Sequence, residues 1–93
     1  MLTLDVGLKI PGSVSFAFVK QDAVLLNMRT NQYYSLDEVG ARFWALLQEG
    51  KLIREAYQAL LEEYAVEPAQ LEKDLLELLE DLRQHGLVEI LPA

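Results

Sequence analysis

Side chains that could perform acid–base, nucleophilic or metal chemistry are few in this chain of 93 residues. It has no cysteine, which excludes a thiolate nucleophile, and a single histidine, His85, which is too little for a zinc site. A histidine near a helix end more often interacts with the helix dipole. Acidic residues are abundant, but Glu62, Glu63, Glu77 and Asp81 lie opposite leucines on amphipathic segments, as solvated helix faces do. We therefore predict no enzymatic activity, no metal site and no cofactor.

Aromatic and leucine side chains are better candidates for a binding surface. Trp44 and Tyr57 occur at helical spacing among leucines, and we assign both to the core. A leucine-rich segment near the C-terminus has an apolar band wider than the ~100° stripe of an ordinary surface helix. This band comprises Leu71, Leu75, Leu76, Leu78, Leu79 and Leu82. Such a helix is either buried on two sides or lines a groove on one side, and the sequence leaves both interpretations open.

Charge and hydropathy limit the kinds of partner. The formal net charge is −7 and the pI is about 4.5. Nucleic-acid binders gain most of their affinity from Lys and Arg at phosphates, so we predict no nucleic-acid partner and favour a protein or peptide. The first ten residues lack the basic start and apolar run of a secretory signal, and no segment approaches the ~20 apolar residues of a membrane helix. We predict a cytoplasmic protein that does not associate with membranes.

The N-terminal part of the chain has the pattern of a β-meander. Apolar and polar residues alternate with the period of two that is typical of half-buried strands. Pro11-Gly12, Gln21-Asp22 and Arg29–Gln32 separate the runs, and Asn31 suits a turn position with positive φ. The predicted strands are Leu2–Ile10, Val14–Phe18, Ala23–Met28 and Tyr33–Leu36.

Three amphipathic helices are predicted after the meander. Ser35 and Glu38 have the spacing of a capping box, so the first helix is expected to begin there. Gly50 and Gly86 are expected to end the first and third helices, because glycine readily adopts the left-handed conformation. The second and third predicted helices are Ile53–Tyr64 and Pro68–His85. Pro68 suits a first helical position, where its missing N–H would have no partner in any case.

These elements predict one α+β domain over residues 1–93, with a winged-helix-like architecture. It consists of a three-stranded antiparallel meander followed by three helices. Leu87–Leu91 favours a further short strand, which could pair with the N-terminal strand or with the meander. The predicted parts are an N-terminal arm over 1–12, the meander over 13–36, the helices over 37–86 and a C-terminal strand or tail over 87–93.

The strand Tyr33–Leu36 is expected at an edge of the meander. Edge strands are usually blunted by Lys, Pro or a bulge, and this one has none of these. An open edge beside a leucine-lined groove is what strand addition requires, because backbone hydrogen bonds supply affinity and alternate side chains supply specificity. Alternatively, the strand is too short to attract a partner, or Leu2–Ile10 covers it.

The segment from Val24 to Trp44, VLLNMRTNQYYSLDEVGARFW, resembles the PqqD-like recognition domains of ribosomal-peptide biosynthesis. Those domains share an apolar strand, an Asn or Asp, a polar turn, paired aromatics, Leu-Asn/Asp, a nearby Gly and a helical Trp. The resemblance covers most of residues 13–90. Asn31-Gln32 stands where many relatives have Gly and a basic residue, so the turn departs from the family pattern.

This resemblance implies a function. PqqD-like domains bind the leader segment of a precursor peptide as an added strand, along their third strand and against their third helix, and present it to modifying enzymes without catalysis of their own. The stand-alone length and the Phe43-Trp44 position look most like the recognition protein of split lasso-peptide systems. The implied partners are the precursor's leader, a leader peptidase and a cyclase. The alternative within the family is the peptide chaperone of quinone-cofactor biosynthesis.

The predicted leader-binding residues lie on the edge strand and on the third helix. They are Gln32, Tyr33, Tyr34, Ser35, Leu75, Leu76, Leu79 and Arg83. Leu79 is expected to be half exposed on the outer flank of the helix, whereas Leu78 is expected on its core stripe with Leu71, Leu75 and Leu82.

Two further classes of function are compatible with the sequence. A winged-helix regulator would bind DNA, but the second and third helices carry few basic residues, mainly Arg54, Lys73 and Arg83, among many acids. A structural dimer would exchange Leu2–Ile10 between protomers as an edge strand. We expect a monomer or a weak dimer.

Overall fold

The computed structural model describes residues 2–91, and Met1, Pro92 and Ala93 of the predicted arm and tail lie outside the described range. The strands are β1 (Gly7–Lys9), β2 (Val14–Val19), β3 (Asp22–Asn27), β4 (Gln32–Leu36) and β5 (Glu89–Leu91). The helices are α1 (Glu38–Gln48), α2 (Ile53–Glu63) and α3 (Pro68–Gln84). The prediction of an α+β fold, with a three-stranded antiparallel sheet, three helices and short extra strands, is confirmed.

The meander has the strand order β2-β3-β4 and is antiparallel throughout. Phe16, Leu25 and Tyr34 lie opposite one another across the three strands. Because side chains alternate between the faces of a sheet, this row and its neighbours at every second position face the helices. Asn31 has φ +60°, as expected for the turn before β4. Within residues 2–91, β4 pairs with β3 alone, so one edge of β4 is open.

The N-terminal segment differs from the prediction of one long strand. Only Gly7–Lys9 is extended, and it pairs antiparallel with β5, with Leu8 opposite Ile90. The residues before it turn inward, which buries Leu4 at 1% exposure in the core. Arg54 fastens this turn through two hydrogen bonds to the Asp5 carboxylate, of 2.6 and 3.0 Å, and these hold the pKa of Asp5 below its usual range. The segment therefore does not cover the β4 edge, and the hypothesis that Leu2–Ile10 protects it is wrong.

The helix caps differ from the predicted ones at the first helix. Ser35 lies within β4, opposite Val24, and the N-cap of α1 is Asp37, whose Oδ1 accepts a hydrogen bond from the Gly40 N–H at 2.9 Å. The predicted capping box is wrong because pairing with β3 keeps the chain extended as far as Leu36. Pro68 begins α3, as predicted.

The core surrounds α1. Phe43 and Trp44 are both fully buried, and they point to different halves of the interior. Phe43 packs with leucines of α2 and α3, whereas Trp44 packs with residues of the meander. The assignment of Trp44 to the core is therefore confirmed. The buried stripe of α3 runs through both halves and comprises Leu71, Leu75, Leu79 and Leu82.

Candidate peptide-binding groove

The open edge of β4 is the first component of the site. In an antiparallel strand, alternate residues direct their N–H and C=O groups to either side, so a strand with one neighbour leaves half of these groups without a strand partner. Tyr34 and Leu36 face the helices, and Tyr33 and Ser35 face away from them. An extended peptide can therefore add to this edge with its side chains directed alternately toward the helices and away from them.

A groove beside this edge is the second component. It has a volume of about 610 Å³ and lies between β4, the start of α1 and the N-terminal two thirds of α3. Its lining consists of Tyr34, Ser35, Leu36, Asp37, Val39, Gly40, Val66, Glu67, Gln70, Leu71, Asp74, Leu75 and Leu78. The floor is aliphatic and the rim is polar. This combination suits an extended peptide that places an apolar side chain in the groove while its backbone remains hydrogen-bonded to the strand edge.

Tyr34 joins the strand to the helix across the groove. Its hydroxyl lies 3.3 Å from Asp81 Oδ2 and donates to that carboxylate. Its ring packs edge-on against His85, with the centroids 5.3 Å apart. Partial burial, and then the Asp81 carboxylate, raise the pKa of Tyr34 above its usual range. Tyr34 therefore acts as a neutral hydrogen-bond donor that holds β4 against α3.

A second, more polar pocket adjoins the far end of the strand. It has a volume of about 370 Å³ and is lined by Pro11, Ser13, Asn27, Arg29, Thr30, Gln32, Gln84, His85 and Gly86. Asn27 is buried here, and its Nδ2 donates to the His85 carbonyl at 2.8 Å while its Oδ1 accepts from the Arg29 N–H at 3.0 Å. One side chain thus ties the β3–β4 turn to the end of α3.

The predicted binding residues fall in several places. Tyr34, Ser35 and Leu75 line the groove together. Gln32 lies in the adjoining polar pocket, and Tyr33 is 71% exposed on the outer face of the sheet.

The remaining three predicted residues do not reach this groove. Leu76 lines a depression on the opposite flank of α3, and Arg83 forms an ion pair there with Glu80. Leu79 is fully buried, so the expectation that it is half exposed is wrong.

The difference comes from how α3 is rotated about its axis. Leu75, Leu79 and Leu82 are spaced by four and three residues, so they form one stripe, and that stripe faces the core. Leu76 and Leu78 then lie on opposite flanks of the stripe, and it is Leu78 that lines the groove. The expectation that Leu78 belongs to the core stripe is also wrong, because this side chain is half-buried.

Several groove residues were not predicted from the sequence. They are Leu36, Asp37, Val39, Gly40, Val66, Glu67, Gln70, Leu71, Asp74 and Leu78. The signal that could have found some of them is helical spacing from Leu75, because residues three or four positions away share its face. Leu71 and Leu78 satisfy this spacing, and Asp74 lies beside them.

Two negative observations apply to residues 2–91. No helix in this range is long and apolar enough to cross a membrane. Nor does the range contain three or more His, Cys, Asp or Glu side chains grouped so that they could hold a metal ion.

Comparison with known families identifies the class of this domain. The family model for coenzyme PQQ synthesis protein D (PqqD) matches residues 22–88, from β3 to the residue before β5. This match spans more than half of the chain, and the chain belongs to the PqqD family.

Two solved structures narrow the comparison. TbiB1, solved in complex with the TbiA(beta) leader peptide, is 40% identical over 87% of this chain and 94% of that chain, with a TM-score of 0.82. A lasso peptide synthetase B1 complexed with the leader peptide is 26% identical over 89% of this chain and 98% of that chain, with a TM-score of 0.78. A search of curated proteins gave no match.

Proposed function

We propose that this protein binds the leader segment of a ribosomally made precursor peptide in lasso-peptide biosynthesis. The leader adds as a strand to the open edge of β4 and places alternate side chains in the groove against α3. The observation that carries this proposal is the unpaired β4 edge beside an aliphatic groove. It is supported by the two similar proteins, both solved with leader peptides bound.

The protein is further proposed to act in the cytoplasm without a catalytic step of its own. It would hold the bound leader while a leader peptidase and then a cyclase act on the rest of the precursor. The alternative is a peptide chaperone of quinone-cofactor biosynthesis, which the family match alone would favour equally. The lasso assignment is preferred because one similar structure is a lasso peptide synthetase B1 with its leader peptide, and TbiB1, at 40% identity, was likewise solved with a leader peptide.

The expected affinity follows from the size of the site. Three or four strand hydrogen bonds at ~1 kcal/mol each, with two apolar anchors at ~1.5–3 kcal/mol each, correspond to roughly −6 to −10 kcal/mol. Ordering a flexible peptide removes several kcal/mol of this free energy. With about 2 kcal/mol removed from the upper end of this range, about −8 kcal/mol remains, and we therefore expect a dissociation constant in the low micromolar range.

Calorimetry with matched variants tests the proposal. The probes are peptides encoded by reading frames next to this gene, with the TbiA(beta) leader as a second probe. Leu78→Glu places a charge in the groove and is expected to weaken binding at least about tenfold, because a desolvated carboxylate has no partner there. Leu76→Glu makes the same change at a half-buried leucine on the opposite flank of α3 and should leave binding within about twofold, because Leu76 does not line the groove.

Thermal melting accompanies each titration, because Leu78 also contacts the core. If Leu78→Glu does not fold, Leu78→Ala replaces it, since that change removes the groove contact without adding a charge. Absence of heat with every probe at ~100 μM peptide would contradict leader binding, since the expected dissociation constant lies well below this concentration. A folded Leu78 variant that binds like the wild type would place the peptide outside this groove.

A further inference from the structure

The charged groups around the groove all have the same sign. Asp37, Glu67 and Asp74 are its ionisable lining residues apart from Tyr34, and no lysine or arginine lines it. The ion pairs found within residues 2–91 lie elsewhere and use Arg42, Arg54 and Arg83. The carboxylates of the groove are therefore not neutralised by the protein's own cations.

Each of these carboxylates is oriented by one neutral donor. Asp37 Oδ1 accepts from the Gly40 N–H at 2.9 Å, and Glu67 Oε2 accepts from the Gln70 N–H at 2.7 Å. Asp74 Oδ1 accepts from Gln70 Nε2 at 2.8 Å. A carboxylate can accept at both oxygens. The second oxygen of each group has no hydrogen-bond donor within residues 2–91 and can accept from a ligand.

The helix dipoles offset this charge only in part. Asp37 and Glu67 cap the N-termini of α1 and α3, each of which carries about +0.5 of an elementary charge. Asp74 lies in the second turn of α3, beyond the range of this effect. Three carboxylates and two helix ends therefore leave about two negative charges at this site.

The negative charge is concentrated at one end of the path along β4. Asp37 and Glu67 lie at the starts of α1 and α3, and Asp74 follows in the second turn of α3. Asp81 lies midway, beside Tyr34. The pocket at the Gln32 end contains Arg29 and His85 and no carboxylate. A bound peptide thus passes from an acidic end of the site to an end that is neutral or basic.

The direction of the bound strand determines which half of the peptide lies at the acidic end of β4. Every pair in the meander is antiparallel, and antiparallel pairing is slightly more stable per residue than parallel pairing. A peptide added antiparallel to β4 has its N-terminal half beside Leu36 and its C-terminal half beside Gln32. We propose that the groove selects leaders in which lysine or arginine precedes the apolar residue that enters the groove. This inference rests on the proposed function and specifies the chemistry of its ligand.

A display library of random 12-residue peptides, selected on the immobilised full-length chain, tests this proposal. Peptides that bind less well to Leu78→Ala, which removes a groove contact without adding a charge, are counted as groove ligands. We expect Lys and Arg to be enriched on the N-terminal side of the apolar residue and not on its C-terminal side. Representative ligands are then synthesised in two versions, with the basic residues before or after the same apolar segment.

Two charge-removing variants separate the groove from the general acidity of the protein. Asp74→Asn keeps the hydrogen bond from Gln70 and is expected to weaken the lysine-first peptide about two- to fivefold, as for an exposed charge pair. Glu77→Gln changes the net charge equally on the opposite flank of α3 and should have no effect. Raising the salt concentration should weaken the lysine-first peptide more than the lysine-last peptide.

The outcomes distinguish the two proposals. Groove ligands without basic enrichment, or with equal enrichment on both sides, would overturn the charge preference and leave leader binding intact. Equal effects of Asp74→Asn and Glu77→Gln would also overturn it, because the attraction would then be non-specific. Recovery of no groove ligand would overturn the proposed function and, with it, this inference.

Discussion

Leu78 and Leu79 are neighbours in the chain and have different environments. Leu79 is fully buried and packs with Leu75 and residues of α1 and α2. Leu78 is half-buried, contacts both halves of the core and lines the groove. Successive residues of a helix are separated by about 100°, so a shift of one position moves a side chain from the core to its flank. A leucine therefore supports folding at position 79, whereas a leucine at position 78 faces the candidate groove.

Truncation of Leu79 is expected to destabilise the domain. Leu79→Ala should lower the free energy of unfolding by about 2–5 kcal/mol, because it leaves a cavity in a packed interior. Leu76→Ala is the matched control on the partly exposed flank, and it should have a clearly smaller effect. Urea denaturation followed by Trp44 fluorescence measures both. Equal losses for the two variants would mean that Leu79 does not carry the packing that its burial indicates.

At the scale of elements, the position of β4 relative to α3 determines the shape of the groove. Two side-chain hydrogen bonds link the sheet to α3, in addition to the apolar packing between them: the Tyr34 hydroxyl with Asp81, and the Asn27 side chain with the turn after α3. Gly86, in that turn, has φ +71°, and a Cβ at this position would lie 2.9 Å from Asn27 Nδ2. The turn therefore needs glycine both for its backbone conformation and for the close approach of the Asn27 amide.

Loss of the Asn27 side chain is expected to loosen this junction. Asn27→Ala leaves the His85 carbonyl and the Arg29 N–H without their partner, which should cost about 1–3 kcal/mol of stability. Gln32→Ala removes an exposed amide from the same pocket and should cost much less. Chemical denaturation gives the stability of each variant. Amide exchange should show the β3–β4 turn opening faster in Asn27→Ala, and unchanged protection there would contradict a tethering role.

At the scale of the whole molecule, net charge distinguishes a winged-helix-like domain that suits a peptide partner from one that suits DNA. The chain carries 15 acidic and 8 basic residues. Three of its arginines are paired with acids, which reduces the positive charge available to a phosphate backbone. Such a surface repels a polyanion, because affinity for nucleic acid depends on cations that displace its counterions.

We expect no retardation of a random DNA duplex by this protein in a gel-shift experiment at ~150 mM salt, since its net charge of −7 disfavours phosphate contacts. The same test with single-stranded RNA should also be negative. A peptide that binds in the calorimetric titrations serves as the positive control for folded, active protein. Retardation at low micromolar protein would make the DNA-binding regulator the preferred function.

The sequence alone determined the features that are encoded within a few neighbouring residues. Alternation predicted the meander, and Asn31 was recognised as its positive-φ turn residue. Pro68 marked the start of α3, and Gly50 and Gly86 adopt the left-handed conformation at the ends of α1 and α3. The order of these signals around Trp44 also placed the chain in its family. Such features follow from local backbone preferences and hold before any tertiary contact forms.

Only the tertiary structure decided which surfaces meet. It paired β1 with β5, turned Leu4 into the core and assigned the cap of α1 to Asp37. It also set the rotation of α3, which directs Leu78 to the groove and Leu79 to the interior. The six leucines of α3 are chemically equivalent and cover more than one stripe, so their spacing permits several rotations. The choice among them depends on how α1, α2 and the sheet together bury the most apolar surface, and that is a property of the assembled core.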